Sequence, residues 1–205
     1  MASVVGAVPS RQEQRSRGTR LRLLDATLEC LAERGWAGTT TTLVAERAGV
    51  SRGAQLHHYP TKSALVLAAV SHLAQRRADD VRAEVAALPP GGDRIAATID
   101  LLASVFTGEL FVVALEVWGA ARTDATLRAA LLPVEVRFGR QMHRLTVELL
   151  GADESRPGVR ENIQATLDLL RGLGVANLLT DDSVRRDRLL AVWTTHLRDA
   201  NGAGR

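Results

Sequence analysis

The sequence predicts an all-α protein of about nine helices. Three observations carry that expectation. Apolar residues recur at helical spacing through most of the 205 residues, as in Leu21, Leu24, Leu28 and Leu31. β-branched and aromatic residues never gather into alternating runs, so no sheet is expected. Gly, Pro and the capping residues Ser, Thr and Asp separate the apolar segments. The length suits one domain or two small ones, and a hydrophobic content of 46% is ample for a helical core.

Residues 1–15 have no period and contain Gly6, Pro9 and Ser10, which reads as a flexible arm. Arg11, Arg15, Arg17 and Arg20 form a basic run ahead of the first helix. Such an arm can follow phosphates or enter a minor groove, and the plainer reading is a solvated terminus. The first helix is expected over Thr19–Arg34, with Leu21, Leu24, Leu28 and Leu31 facing inward. Gly35 is its expected C-cap, and Trp36 is expected to pack beneath the segment that follows.

That segment, TTTTLVAERAGVSRGAQLHHYPTK from Thr39 to Lys62, reads as two short helices around a tight turn. Thr40 caps a helix of Thr41 to Ala48 by accepting an orphan backbone N–H. Gly49 ends it, because Gly enters the left-handed region without steric cost. Val50 fills the corner, and Ser51 caps a second helix, Arg52 to His58, which Pro60 stops. A small residue, Ala45, followed four positions later by Gly49 and then an apolar corner is the pattern of a helix-turn-helix. The alternative on the turn alone is an ordinary helical hairpin with a polar tip. The second helix is expected to expose Ser51, Arg52, Gln55 and His57, all able to bond to base edges or phosphates.

The wider window, about Arg20 to Val70, resembles the DNA-binding domain of TetR-family transcriptional repressors. Gly35, Thr39, Thr40, Ala45, Ala48, Gly49, Val50, Ser51, Gly53, His58, Tyr59, Lys62 and Leu65 carry the match. One departure stands out. The family usually has Leu-Tyr where this chain has Gln55-Leu56, and that Tyr typically contacts a phosphate. Either His57 makes that contact or the helix sits differently, and Gln55 gains a possible base-reading role in exchange for a core role. The resemblance implies a homodimer that binds a palindromic operator on double-stranded DNA. It also implies a small-molecule effector in the C-terminal domain that releases the DNA, with the fourth helix transmitting its presence. The expected DNA-binding residues are Thr40, Thr42, Ser51, Arg52, Gln55, His57, His58 and Lys62, with Arg52 on a guanine and Lys62 on a phosphate. Charge agrees. Residues 1–62 hold nine basic and five acidic residues, and the remainder 17 and 18, so the basic excess sits with the helix-turn-helix.

The fourth helix starts at Thr61 and extends to about Leu88, where Pro89, Pro90, Gly91 and Gly92 end it. Asp93–Thr107 and Glu109–Arg122 follow as apolar helices broken at Gly108. Thr123 or Asp124 caps the next, which runs to Leu150 and is expected to kink or divide at Pro133. A helix over Arg156–Leu179 takes Pro157 in its first turn, and Thr180, Asp181 and Asp182 cap a last helix to about Ala200, with frayed residues after it. The stripes Ile163, Leu167, Leu170, Leu178 and Leu189, Trp193, Leu197 are the expected dimer interface, as a four-helix bundle across a two-fold axis. The alternative is that both pack within the monomer. Gly172 and Gly174 suggest a close helix approach there.

Four of the seven aromatic residues, Phe106, Phe111, Trp118 and Phe138, fall within 33 positions. With Glu116 and Met142 they are the expected effector-binding residues. Asp100, Gln141 and His143 are further candidate polar groups. A packed core without a cavity is the alternative. The apolar lining and the carboxylates point to a hydrophobic, neutral or cationic molecule.

Other chemistry is not expected. Cys30 is single, so neither an internal disulfide nor a Cys-based metal site is indicated. His57 and His58 diverge on a helix, and His72, His143 and His196 are isolated, so no metal site is expected. No catalytic triad, carboxylate pair or nucleotide loop argues for an enzyme or a cofactor. No apolar run reaches membrane-spanning length and no signal peptide is apparent, so a cytoplasmic protein without a membrane partner is expected. The domain reading is 1–15 flexible arm, 16–62 helix-turn-helix DNA-binding domain, and 63–205 ligand-binding and dimerisation domain. Two readings compete with a repressor: a ligand-independent DNA-binding regulator or activator of the same fold, and a helical adaptor protein.

Overall fold

A computed structural model describes residues 10–88 and 93–202, with the backbone alone at 201 and 202. Among these residues there are nine helices and no strand. They form two compact units that divide within the fourth helix, at Ala69/Val70. Residues 1–9 of the expected arm, the Pro89–Gly92 breaker and the residues after 202 lie outside the described residues.

In the first unit, α1 (Arg11–Gly38) starts earlier than expected. A capping box draws residues 11–15 into the helix: Ser10 Oγ accepts the Glu13 N–H and Glu13 accepts the Ser10 N–H. Gly35, at φ 62°, interrupts the helical backbone, and Thr39 closes the end by donating its hydroxyl to the Gly35 carbonyl. The inward stripe is Leu23, Leu24, Thr27, Leu28 and Leu31, whereas Leu21 is 37% exposed and does not belong to it. α2 (Thr41–Arg47) and α3 (Arg52–His58) follow, α2 packing on both α1 and α3. α4 (Lys62–Ala86) begins behind a Thr61 hydroxyl that accepts the Ala64 N–H.

In the second unit, α5 (Arg94–Thr107) is central and packs against α6 (Glu109–Ala121), α7 (Ala125–Leu150), α8 (Val159–Ala176) and α9 (Ser183–Gly202). Ile99 and Leu102 on it are wholly buried. α8 comes so near α5 that a Cβ on Gly174 would collide with the Phe106 carbonyl oxygen and stand 2.9 Å from the Phe111 ring. Gly172 meets nothing within 4 Å, so only Gly174 serves a close approach.

One expectation about a helix end is corrected, and the one about Pro133 is narrowed. α7 is not divided at Pro133. Both Pro133 and Ala129, whose carbonyl loses its helical partner to the proline, are exposed, so water can satisfy that oxygen. α8 starts at Val159 behind Gly158 at φ 82°, which leaves Pro157 outside its first turn.

The expected dimer stripe is also corrected. Ile163, Leu167, Leu170 and Leu197 are at most 3% exposed inside this single chain, so they fill its own core. Trp193 donates its indole N–H to Thr166 at 2.9 Å in the same layer. Only Leu178 and Leu189 of the named set face outward, at 41% and 38% exposure.

Candidate functional site

The helical corner is held by local bonds at each bend. Thr40 Oγ1 accepts the Leu43 N–H at 3.2 Å, and Ser51 Oγ accepts the Ala54 N–H at 3.2 Å. Gly49 sits at φ 63°, and beyond it the Val50 N–H returns to the Ala45 carbonyl at 3.0 Å. Arg47 ties α2 to α1 through Glu33 at 2.6 Å, and Arg22 reaches the Ala48 carbonyl at 3.3 Å. A rigid corner therefore presents Thr40, Thr42, Ser51, Arg52, Leu56 and His57 on its surface.

Two residues expected on that surface are turned inward. Gln55 has no exposure, and its amide N–H donates to the Tyr59 carbonyl at 2.6 Å, so it is unavailable to a base. Its Oε1 is buried without a hydrogen-bond partner. Lys62 points its ammonium at the Trp36 carbonyl oxygen and over the Trp36 ring, 4.3 Å from the centroid. Burial lowers its pKa from the ordinary lysine value. That ammonium braces α4 against the end of α1 and is not extended toward a phosphate. His58 is half-buried against His57, and burial, then the neighbouring His57 and Arg20, lowers its pKa. Neutral His58 suits hydrogen bonding better than ion pairing.

The second unit holds a partly open cavity of about 210 Å³. α4 supplies Val70, Ser71, Ala74 and Gln75 to its wall. Phe106, Phe111, Trp118 and Phe138 line it as the sequence suggested, and so does Gln141, which is bonded to Gln75 at 3.2 Å. Phe111 meets Phe106 and Trp118 edge-on, with centroids 5.6 and 6.0 Å away. Glu116 and Met142 do not line it. Glu116 lies on the exposed face of α6, and Met142 is 2% exposed elsewhere in the core. Asp100 belongs to a separate groove between α5 and α9, where burial and the nearby Asp187 raise its pKa. His143 is bonded to Glu154 at 2.8 Å, away from the cavity.

The polar group that the sequence reading missed is Glu135 on α7. Burial raises its carboxyl pKa, offset in part by the Trp118 indole N–H and by Arg171. The indole N–H is itself buried and makes no hydrogen bond of good geometry, so an unsatisfied donor stands beside the Glu135 carboxyl on the aromatic wall.

Among the described residues no group of three or more His, Cys, Asp or Glu is placed to hold a metal ion. No single helix there is long and apolar enough to cross a membrane. α5 and α6 qualify only as a pair bent by 46°, and their apolar residues are largely core.

Comparison with known proteins gives a consistent result. The description of the tetR family of bacterial regulatory proteins matches residues 23–69. The chain is similar to the HTH-type transcriptional regulator CymR of Pseudomonas putida, 35% identical over 184 residues that span 87% of this chain and 88% of CymR. A transcriptional regulator of Pseudomonas aeruginosa PAO1 shares the fold at a TM-score of 0.70 and 24% identity, covering 92% of both chains. So does the multidrug binding protein EbrR, solved with imidazole, at a TM-score of 0.62 and 22% identity, covering 94% of this chain and 97% of EbrR.

Proposed function

Because the chain belongs to the TetR family of helix-turn-helix transcriptional regulators, which bind DNA and are not enzymes, we propose that it is a repressor released from its operator by a small molecule. The observation that carries the effector part is the 210 Å³ cavity with its aromatic walls, the unsatisfied Trp118 N–H and the Glu135 carboxyl, whose pKa burial raises. Protein cores leave few voids larger than a water molecule, so a space of this size with polar groups on its wall favours a ligand site. A cavity of about 150 Å³ holds benzene, so this one suits a substituted single ring. The matching effector is apolar and neutral or cationic. It donates a hydrogen bond to Glu135 and accepts one from the Trp118 N–H.

Readout follows from α3. Arg52 is exposed at its N-terminal end, and its planar fork fits guanine O6 and N7. α4 is one continuous helix from the Thr61 cap to the cavity wall at Gln75, so it is the element through which occupancy reaches the corner. An effector releases DNA only if it binds the DNA-free conformation more tightly than the DNA-bound one.

The dimer of this reading uses the outward faces of α8 and α9 and the turn between them. Val175, Leu179, Val184 and Val192 are 48%, 95%, 66% and 71% exposed there. In a dimer they would be covered, as large apolar patches on soluble proteins usually are.

The test has two arms on one protein. DNA retained by the full chain is selected from a random pool, and the recovered site should be palindromic. Single-ring compounds are then screened for release of that DNA and for quenching of Trp118 in a Trp36→Phe, Trp193→Phe background. Release without quenching, or no release by any compound, sinks the effector reading.

A further inference from the structure

The departure at Gln55-Leu56 changes what α3 can read. Gln55 occupies the inward position, so the helix keeps its register and Leu56 faces out, 44% exposed. Leu56 follows Arg52 by four residues and Gly53 by three, and these three with His57 make the exposed face of α3. A Cβ on Gly53 would meet nothing within 4 Å, so the backbone there can approach another surface closely.

A leucine can neither donate nor accept a hydrogen bond. Set over a phosphate it would strip water from charged oxygens without replacing the lost bonds. Among the groups that base pairs display in the major groove, the thymine C5-methyl is the apolar one. We propose that Leu56 packs on the methyl group of a thymine in the operator, at a position next to the one that Arg52 reads. The recognition helix then specifies two adjacent positions by different chemistry: a hydrogen-bonded guanine and a methyl-bearing pyrimidine.

This inference rests on the docking of α3 proposed above, and the experiment separates the two. DNA is selected from a random pool with the full chain. Each thymine of the recovered site is replaced in turn by deoxyuridine, which differs only in lacking the methyl group. Affinities are measured for the wild type, Leu56→Ala and Arg52→Ala. Because Leu56 is exposed, Leu56→Ala should fold, and circular dichroism melting checks that it does. Deoxyuridine at one thymine, or at its symmetry mate, should weaken the wild type about three- to fivefold, the effect of one buried methyl. Leu56→Ala should bind thymine and uracil there equally. A cytosine at the same position should bind better when 5-methylated, in the wild type only. Methyl dependence at no thymine, or methyl dependence that survives Leu56→Ala, overturns the inference. If Arg52→Ala relaxes one base and Leu56→Ala relaxes none, the Leu56 contact alone fails. If neither relaxes any base, the docking of α3 fails.

Discussion

Gln55→Leu should stabilise the first unit by about 1–2 kcal/mol while leaving base preference unchanged. The magnitude follows from what the side chain now does. Its Oε1 is buried without a partner, a state that costs about 1–3 kcal/mol. Its amide N–H donates to the part-buried Tyr59 carbonyl, which water can reach in the variant, so losing that bond costs about 0.5–1.5 kcal/mol. Leucine is slightly bulkier but shorter and replaces polar atoms with methyl groups in a position of zero exposure, which adds up to about 1.5 kcal/mol. The relief of the stranded oxygen and the apolar gain together exceed the lost bond. The assay is urea unfolding of wild type and variant followed by circular dichroism, read as the change in midpoint at constant slope. A neutral or destabilising result would show that Oε1 has a partner, such as an ordered water, and the argument from its isolation would fail. Altered preference in a selected DNA pool would return Gln55 to base reading.

Lys62→Ala should destabilise the first unit by about 1–2 kcal/mol, because it removes a charge-assisted bond and a ring contact with Trp36; its salt slope of DNA binding should stay near that of the wild type, since the ammonium is not extended to a phosphate. Gly174→Ala should cost about 2–3 kcal/mol in a melt of the second unit, since the added methyl meets the Phe106 backbone. Glu135 has a folded-state pKa raised above 4.5 by burial, so its contribution to stability is full below that value and is lost as pH rises through the folded pKa. Glu135→Gln should therefore melt higher than the wild type at neutral pH, with the gap closing toward pH 4.5, and its effector affinity should fall. Val192→Glu should shift a dimer to monomer in sedimentation, whereas Ile163→Ala should lower stability by about 2–5 kcal/mol through loss of core packing.

The helical corner was legible because its constraints are local. Thr40, Ser51 and Thr61 each cap the next turn of chain, and Gly49 fills a left-handed position that its neighbours require. The start of α1 was missed although Ser10 and Glu13 form a capping box, because the basic run that follows has no apolar stripe. Gln55 was read as exposed on its polarity, whereas it is buried. Seven residues are too few to show a period, so the register of α3 is set by α2 and the corner rather than by its own composition. Glu135 gave no local signal at all. It lies on a cavity wall shared by α4, α5, α6 and α7, near Trp118 and Arg171, and the sequence carries no trace of that meeting.

The misread stripes of α8 and α9 have the same origin, and the correction sharpens the assembly argument. Both helices are apolar on more than one side, and periodicity cannot say which side meets the chain's own core. Ile163, Leu167 and Leu170 answer to α5 and its neighbours, and the close approach at Gly174 fixes that choice, because rotating α8 would bring a larger residue against the Phe106 carbonyl. With that face used inside the monomer, Val175, Leu178 and Leu179 must point away from it, and Val184 and Val192 do likewise on α9. An intramolecular core that accounts for the first stripe leaves the outward residues exposed among the described residues. The interface of the proposed dimer therefore keeps Leu178 and Leu189 and is displaced around both helices from the other residues that periodicity singled out. A substitution series in which core residues change stability and outward residues change only association would separate the two faces.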